Sequence, residues 1–413
     1  MRGSPVPPVR YPHAVFLENN GKLAPDRNSA DDVARLFEEV VPRALEGHAK
    51  RRLLLYVHGG LVPEASALEV LDKHRLAFFD DAYPIAVVWR TGLLNTLDYW
   101  VADRKEQEGT GGPEALAGGS QMDEPIVPLR EGERLVVRAL EVLCTRGRFI
   151  WNEMKENAHR ASVEWGSRDC PKVATEKGGM LVVLDALESL VRKDPDLEVH
   201  LMVHSAGAIL AAPFVKLWAS EGRVPPPPEY VGLGLHPLPR QSGLGRTLHS
   251  ITFLAPACTM DDFGVYYHDL LEAGRLGKAA LYVLSDAAEQ ADDCIKVYPQ
   301  SLLYLVSNAF EGVKPSKNEG KPLLGMYRHV VNTPAVRSLL DSGRVELVIA
   351  EKTRTPRGDY ACKAVHHGDF DTDIETLHSV RVRIREAASM QVPVKGRAGL
   401  PLPVGEPETM PPS

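Results

Sequence analysis

Two kinds of apolar pattern alternate along this chain. Runs such as Leu53–Val57, Ile85–Trp89, Val199–Val203, Ile251–Leu254, Ala279–Leu284 and Val345–Ala350 are apolar at nearly every position. Strands covered on both sheet faces read this way. Between them lie segments with apolar residues three and four apart. They predict helices over Asp31–Leu45 (Val33, Leu36, Phe37, Val40 and Val41 on one face), Glu64–Phe79, Gly179–Arg192, Asp262–Ala273, Gln300–Phe310, Thr333–Leu340 and Asp373–Ala387. A short hairpin is expected at His13–Leu23, turning at Asn20-Gly21. Strands alternating with helices predict an α/β fold, a mostly parallel central sheet with helices on both faces.

The alternation stops from about Thr91 to Lys177. Helical patterns remain there, at Leu93–Arg104 and Glu131–Ala161, separated by the glycine-rich stretch Gly109–Gly119. We read 91–177 as an inserted helical cap or lid, 1–90 and 178–390 as the two parts of the α/β core, and 391–413 as a disordered proline-rich tail. The stripe Leu135, Val136, Leu140, Leu143 suits a core-facing helix and keeps a lid role open.

Composition narrows the function classes without naming one. The chain has 413 residues, 44% hydrophobic and 25% charged, with a net charge of -7. That charge gives no electrostatic footing for nucleic acid or an anionic membrane. No run approaches the roughly 20 apolar residues of a membrane span, and the start Met1–Pro8 lacks the apolar core of a secretory signal. The five cysteines, Cys144, Cys170, Cys258, Cys294 and Cys362, are dispersed and odd in number, which suits reduced thiols and a cytoplasmic location. The sequence is silent on oligomeric state.

Candidate chemistry gathers where strands end, the place at which open parallel sheets bind ligands. Ser205 stands in Val203-His204-Ser205-Ala206-Gly207, between the run Val199–Val203 and a small-residue helical stretch, Ala206–Val215. A strand, a sharp turn and a helix lift a hydroxyl clear of the backbone and aim a helix N-terminus at what it attacks. Acids follow the run 279–284: Asp286, Glu289, Asp292 and Asp293. His366 and His367 follow the run that ends at Ala350. A serine hydroxyl needs a histidine to take its proton, and that histidine needs a carboxylate to orient it. Asp261 and Asp262 read as helix N-terminal residues. The cluster from His366 to Asp373 lacks a second ligand group at fixed spacing, so no metal is expected.

Serine, acid, histidine is also the triad order of the α/β-hydrolase superfamily, which the chain resembles from Leu53 to about Ala387. Val-His-Ser-Ala-Gly resembles its nucleophile elbow, with Val203 in place of the first glycine of G-x-S-x-G. Tyr56-Val57-His58-Gly59-Gly60 resembles the His-Gly oxyanion loop, and His367-Gly368-Asp369-Phe370 the loop that delivers the histidine. The resemblance implies a serine hydrolase acting on a carboxylic ester or related acyl bond of a small-molecule or lipid-like substrate. Ser205 would be the nucleophile, His367 (in preference to His366) the base, and Asp286 or Asp292 the acid. Oxyanion donors would be the N–H groups of Ala206 and of Gly59 or Gly60, and His58 would shape their loop. No cofactor is implied. A lipase or phospholipase with an interfacial lid, and a catalytically silent binding module on the same fold, are the alternatives.

Overall fold

The sheet is built from the runs that are apolar at nearly every position. A computed structural model of the chain describes residues 9–59, 63–91, 147–166, 174–224, 242–292, 298–311, 320–350 and 361–387. Within these, seven strands form one sheet: β1 (Ala14–Leu17), β2 (Arg52–Val57), β3 (Tyr83–Trp89), β4 (Glu198–His204), β5 (Leu248–Leu254), β6 (Leu276–Leu284) and β7 (Val345–Ala350). Their spatial order is β1-β3-β2-β4-β5-β6-β7, and every adjacent pair is parallel. The apolar residues of β2 and β4 are all but completely buried. Burying one such leucine or valine contributes about 2 kcal/mol.

The helices divide between the two faces, as strands apolar on both sides require. On one face α1 (Glu64–Phe78) packs against β3, and the closing helix, which we number α5 (Ile374–Ala387), packs against α1, β5 and β6. The other face carries α3 (Gly179–Lys193) and α4 (Gly207–Ala219), with the helical stretch Ala30–Ala44 packed on α3. Helix α2 (Gly147–Arg160) packs against α4.

The chain steps outward from β2 to β3, then crosses to the other side of β2 to begin β4. The direction of winding therefore reverses between β2 and β4. Such a switch point opens a crevice beyond the carboxyl ends of the two strands. Here those ends carry His58-Gly59 and His204-Ser205.

One expectation is redrawn. The segment His13–Leu23 does turn, with Gly21 donating to the Glu18 carbonyl, but its second leg makes only one antiparallel bridge, Leu17 to Leu23. Its first leg is β1, which takes β3 as its parallel partner and gains an apolar sheet neighbour that a hairpin would not supply. Of the expected cap at 91–177, residues 92–146 and 167–173 lie outside the described residues. What is described is α2 and a short antiparallel pair, Glu164–Gly166 with Ala174–Lys177. The tail expected at 391–413 also lies outside them.

Buried histidines make the fold acid-sensitive. His58 and His200 are fully enclosed, and burial pushes each down to about 4. At His367, burial and the charge of His204 outweigh the pull of Asp371 and lower the ring to about 3. A histidine whose folded pKa lies below its unfolded value of about 6.5 binds fewer protons when folded. Its contribution is complete above pH 6.5 and is lost as the pH falls through the window toward 4. Each fully protonated site at His58 or His200 costs about 3 kcal/mol. We expect the urea midpoint, followed by circular dichroism, to fall steeply between pH 6.5 and pH 4.5; an unchanged midpoint would contradict this account.

Candidate active site

The turn after β4 is strained and pinned. Ser205 has φ 50°, a left-handed conformation that costs a residue with a Cβ about 1–2 kcal/mol. Backbone hydrogen bonds hold it there. The Ser205 N–H donates to the Leu254 carbonyl at the end of β5 (2.9 Å), and the Ser205 carbonyl accepts from Ala208 (3.1 Å) and Ala257 (3.0 Å). The neighbouring strand end bends similarly, with Ala255 at φ 40°. Ala206 is the N-cap of α4, so its amide belongs to the first helical turn, whose N–H groups have no partner within the helix. A Cβ on Gly207 would lie 2.2 Å from the Val57 carbonyl oxygen and 2.8 Å from that of His58. Only glycine lets α4 start so close to the end of β2.

Gly59 faces the serine from β2. A Cβ there would lie 3.2 Å from Ser205 Cβ and 3.7 Å from His204 Nδ1. Gly60 lies outside the described residues. His58 braces the loop: its Nε2 accepts the Trp89 N–H at 2.8 Å, and its Nδ1 faces the Gly59 carbonyl. Nε2 as acceptor fixes the neutral tautomer with the proton on Nδ1, in keeping with a pKa lowered to about 4.

The structure brings Ser205 and His367 together. His367 Nε2 lies 2.9 Å from Ser205 Oγ, with both residues 4% exposed. His366 is the outer member of the pair, and its Nδ1 lies 2.7 Å from Asp292 Oδ1. The other oxygen of Asp292 accepts the His367 backbone N–H at 2.9 Å. Asp292, 1% exposed, thus reaches both histidines, yet His367 through its backbone amide and not its ring. Among the described residues, the buried His367 Nδ1 has no hydrogen-bond partner. Asp286 is engaged elsewhere, accepting from the Tyr304 hydroxyl (2.8 Å) and the Gln290 amide (2.8 Å). Glu289 is fully buried, and burial pushes it up to about 8. Asp293 lies outside the described residues. Asp262 closes a capping box with Thr259.

Behind the serine lies a polar group to which the sequence motifs assign no role. His204 Nδ1 is 3.0 Å from Asp371 Oδ2, and its Nε2 is 3.0 Å from the His367 carbonyl oxygen. The same Asp371 oxygen accepts the Tyr56 hydroxyl at 2.5 Å. His74 Nε2 lies 2.7 Å from the Asp371 carbonyl oxygen. Burial alone would raise Asp371, but the His204 charge and the hydrogen bonds from His204 and Tyr56 hold it well below the usual carboxylate range. His204 sits inside the serine motif and Asp371 four residues after His367. The signal was their proximity to both motifs.

Among the described residues, metal-type ligands within reach of one ion come together at His268, Asp269 and Glu272. Both carboxylates are exposed, and His268 already pairs with them at 3.2 and 3.8 Å. None of these residues belongs to the serine site. Chemically, that site can pass a proton from a hydroxyl to an imidazole beside the N-terminus of α4, an arrangement suited to attack on an acyl carbonyl. No known family model, curated protein or solved structure matches this chain.

Proposed function

We propose that this chain is a serine hydrolase of the α/β-hydrolase type, cleaving a carboxylic ester or related acyl bond through an acyl-enzyme. The observation that carries the reading is the 2.9 Å approach of His367 Nε2 to the hydroxyl of a serine held at φ 50° on a strand-to-helix turn. A buried serine in a left-handed turn is a costly arrangement, and costs of that kind collect at functional sites.

In the proposed mechanism neutral His367 accepts the Ser205 proton on Nε2 as Oγ attacks the acyl carbon. The same proton then passes to the leaving group, and water repeats the sequence to release the acid. With Nε2 as acceptor, the resting ring carries its hydrogen on Nδ1. Ala206 N–H, and the N–H of Gly59 or Gly60, would receive the oxyanion. Asp292 serves by holding the His366-His367 segment through a backbone amide and the neighbouring imidazole. Asp371 supplies the negative charge that favours a proton on His367. No cofactor enters these steps.

The second reading, a silent binding module, draws on two observations: His367 Nδ1 has no acceptor among the described residues, and both reacting side chains are buried. A fluorophosphonate probe separates the two. Covalent labelling mapped by mass spectrometry to Ser205, and abolished by Ser205→Ala, is the expected result. A folded chain that stays unlabelled at micromolar probe would be the silent module.

A further inference from the structure

His204 is the residue before the serine, and its ring centroid lies 5.4 Å from that of His367. Both of its nitrogens face acceptors: the carboxylate of Asp371 at 3.0 Å and the backbone carbonyl of His367 at 3.0 Å. A neutral imidazole has a single N–H, so one of those contacts would set lone pair against lone pair. Only the imidazolium satisfies both. We propose that His204 is a positioning residue: as a buried cation pinned between Asp371 and the His367 carbonyl, it locks the loop 366–371 so that the His367 ring meets Ser205. The proposal rests on the hydrolase reading for what His367 then does.

The surroundings are arranged for that charge. Burial opposes it, but Asp371, the His367 carbonyl and the more distant Asp369 together raise the pKa of His204 above its ordinary value. The remaining groups around it are fixed in other states. From β2, Tyr56 donates its hydroxyl to Asp371, and burial with the Asp371 charge keeps it protonated far into alkali. His58 beside it is held neutral by the Trp89 N–H. From α1, His74 is lowered by burial and donates to the Asp371 carbonyl. From the loop itself, His367 is lowered to about 3 and Asp371 stays ionised. Gly59, on the remaining side, carries no charge. As the pH rises, His204 is therefore the group of this cluster that changes charge first. Its loss of a proton removes one of the two hydrogen bonds that hold the loop.

The test uses the full-length chain and two readouts. The rate of fluorophosphonate labelling at Ser205 is measured from pH 6 to 10 for wild type, His204→Gln and Asp371→Asn. In parallel, 15N-histidine NMR of the wild type follows the His204 ring, assigned by its absence in His204→Gln. We expect His204 to be doubly protonated at pH 7.5. The labelling rate should fall on the alkaline side with the same midpoint as the NMR titration. His204→Gln, whose amide can still donate to the His367 carbonyl but cannot titrate, should label about tenfold more slowly with no alkaline fall. Asp371→Asn should move the wild-type midpoint to lower pH. A neutral His204 ring at pH 7.5, or an unchanged alkaline fall in His204→Gln, overturns the proposal. If wild-type Ser205 is unlabelled at every pH, the hydrolase reading fails separately. Amide exchange over 366–371 then decides the pinning: protection lost as His204 deprotonates supports it, and constant protection overturns it.

Discussion

Replacing His367 with glutamine should lower the turnover of short p-nitrophenyl esters by about 10⁴-fold or more, nearly all of it in kcat. The glutamine amide can occupy the space beside Ser205 Oγ and hydrogen-bond to it, but it cannot accept and return a proton. The Asp292 contact to residue 367 runs through the backbone amide and survives the exchange, so the loop keeps its anchor. Thermal melts and circular dichroism should therefore stay close to wild type. Because the loss is in the chemical step, KM should move little. His366→Gln is the contrasting case, because its ring meets Asp292 and is 44% exposed. Turnover in His367→Gln within tenfold of wild type would remove His367 from the mechanism.

The second large effect is on the fold. In Gly207→Ala a methyl group would sit 2.2 Å from one backbone carbonyl oxygen of β2 and 2.8 Å from the next. Neither oxygen can step aside as a side chain would, because both belong to the chain at the end of a central strand. Either α4 moves off the sheet or β2 bends. We expect roughly 3 kcal/mol of lost stability, the upper end for an overpacked interior, and loss of labelling at Ser205 because the turn shifts with the helix. Urea unfolding of the purified variant checks the first, and an unchanged midpoint would refute the close approach of α4 to β2.

The sheet was legible because its strands are apolar on both faces. Leu53–Val57 and Val199–Val203 could be nothing but buried, and they became adjacent parallel strands. Ends were read short by one to three residues, as at β4, which gains Glu198 and His204, and at β5, which begins at Leu248. Polar residues such as Glu198 interrupt the apolar run but are buried against partners, here Arg52 on the neighbouring strand. That pairing is long-range, so no local pattern announces it. Ser205, His367 and Gly59 were legible because motif residues carry constraints on their immediate neighbours. The choice between Asp286 and Asp292 was not: the two stand six positions apart, at the start of a short helix and just past its end, and only the fold decides that Asp286 turns to Tyr304 while Asp292 turns to the histidines. His204 and Asp371 escaped for a related reason. Each reads as a filler beside a motif until the chain closes and sets one against the other.

The spacing of the site along the chain has a consequence for how the molecule comes into being. Ser205 and His367 are separated by 162 residues, and Tyr56 and Asp371 by 315. No fragment that leaves a ribosome early contains the set, and contacts this distant in sequence form late and slowly in folding. If Ser205 reacts as proposed, its labelling is a stopwatch for the last step of assembly. In a refolding reaction, secondary structure should return before the serine can be labelled. The interval between the two signals times the arrival of the C-terminal loop on a sheet already formed.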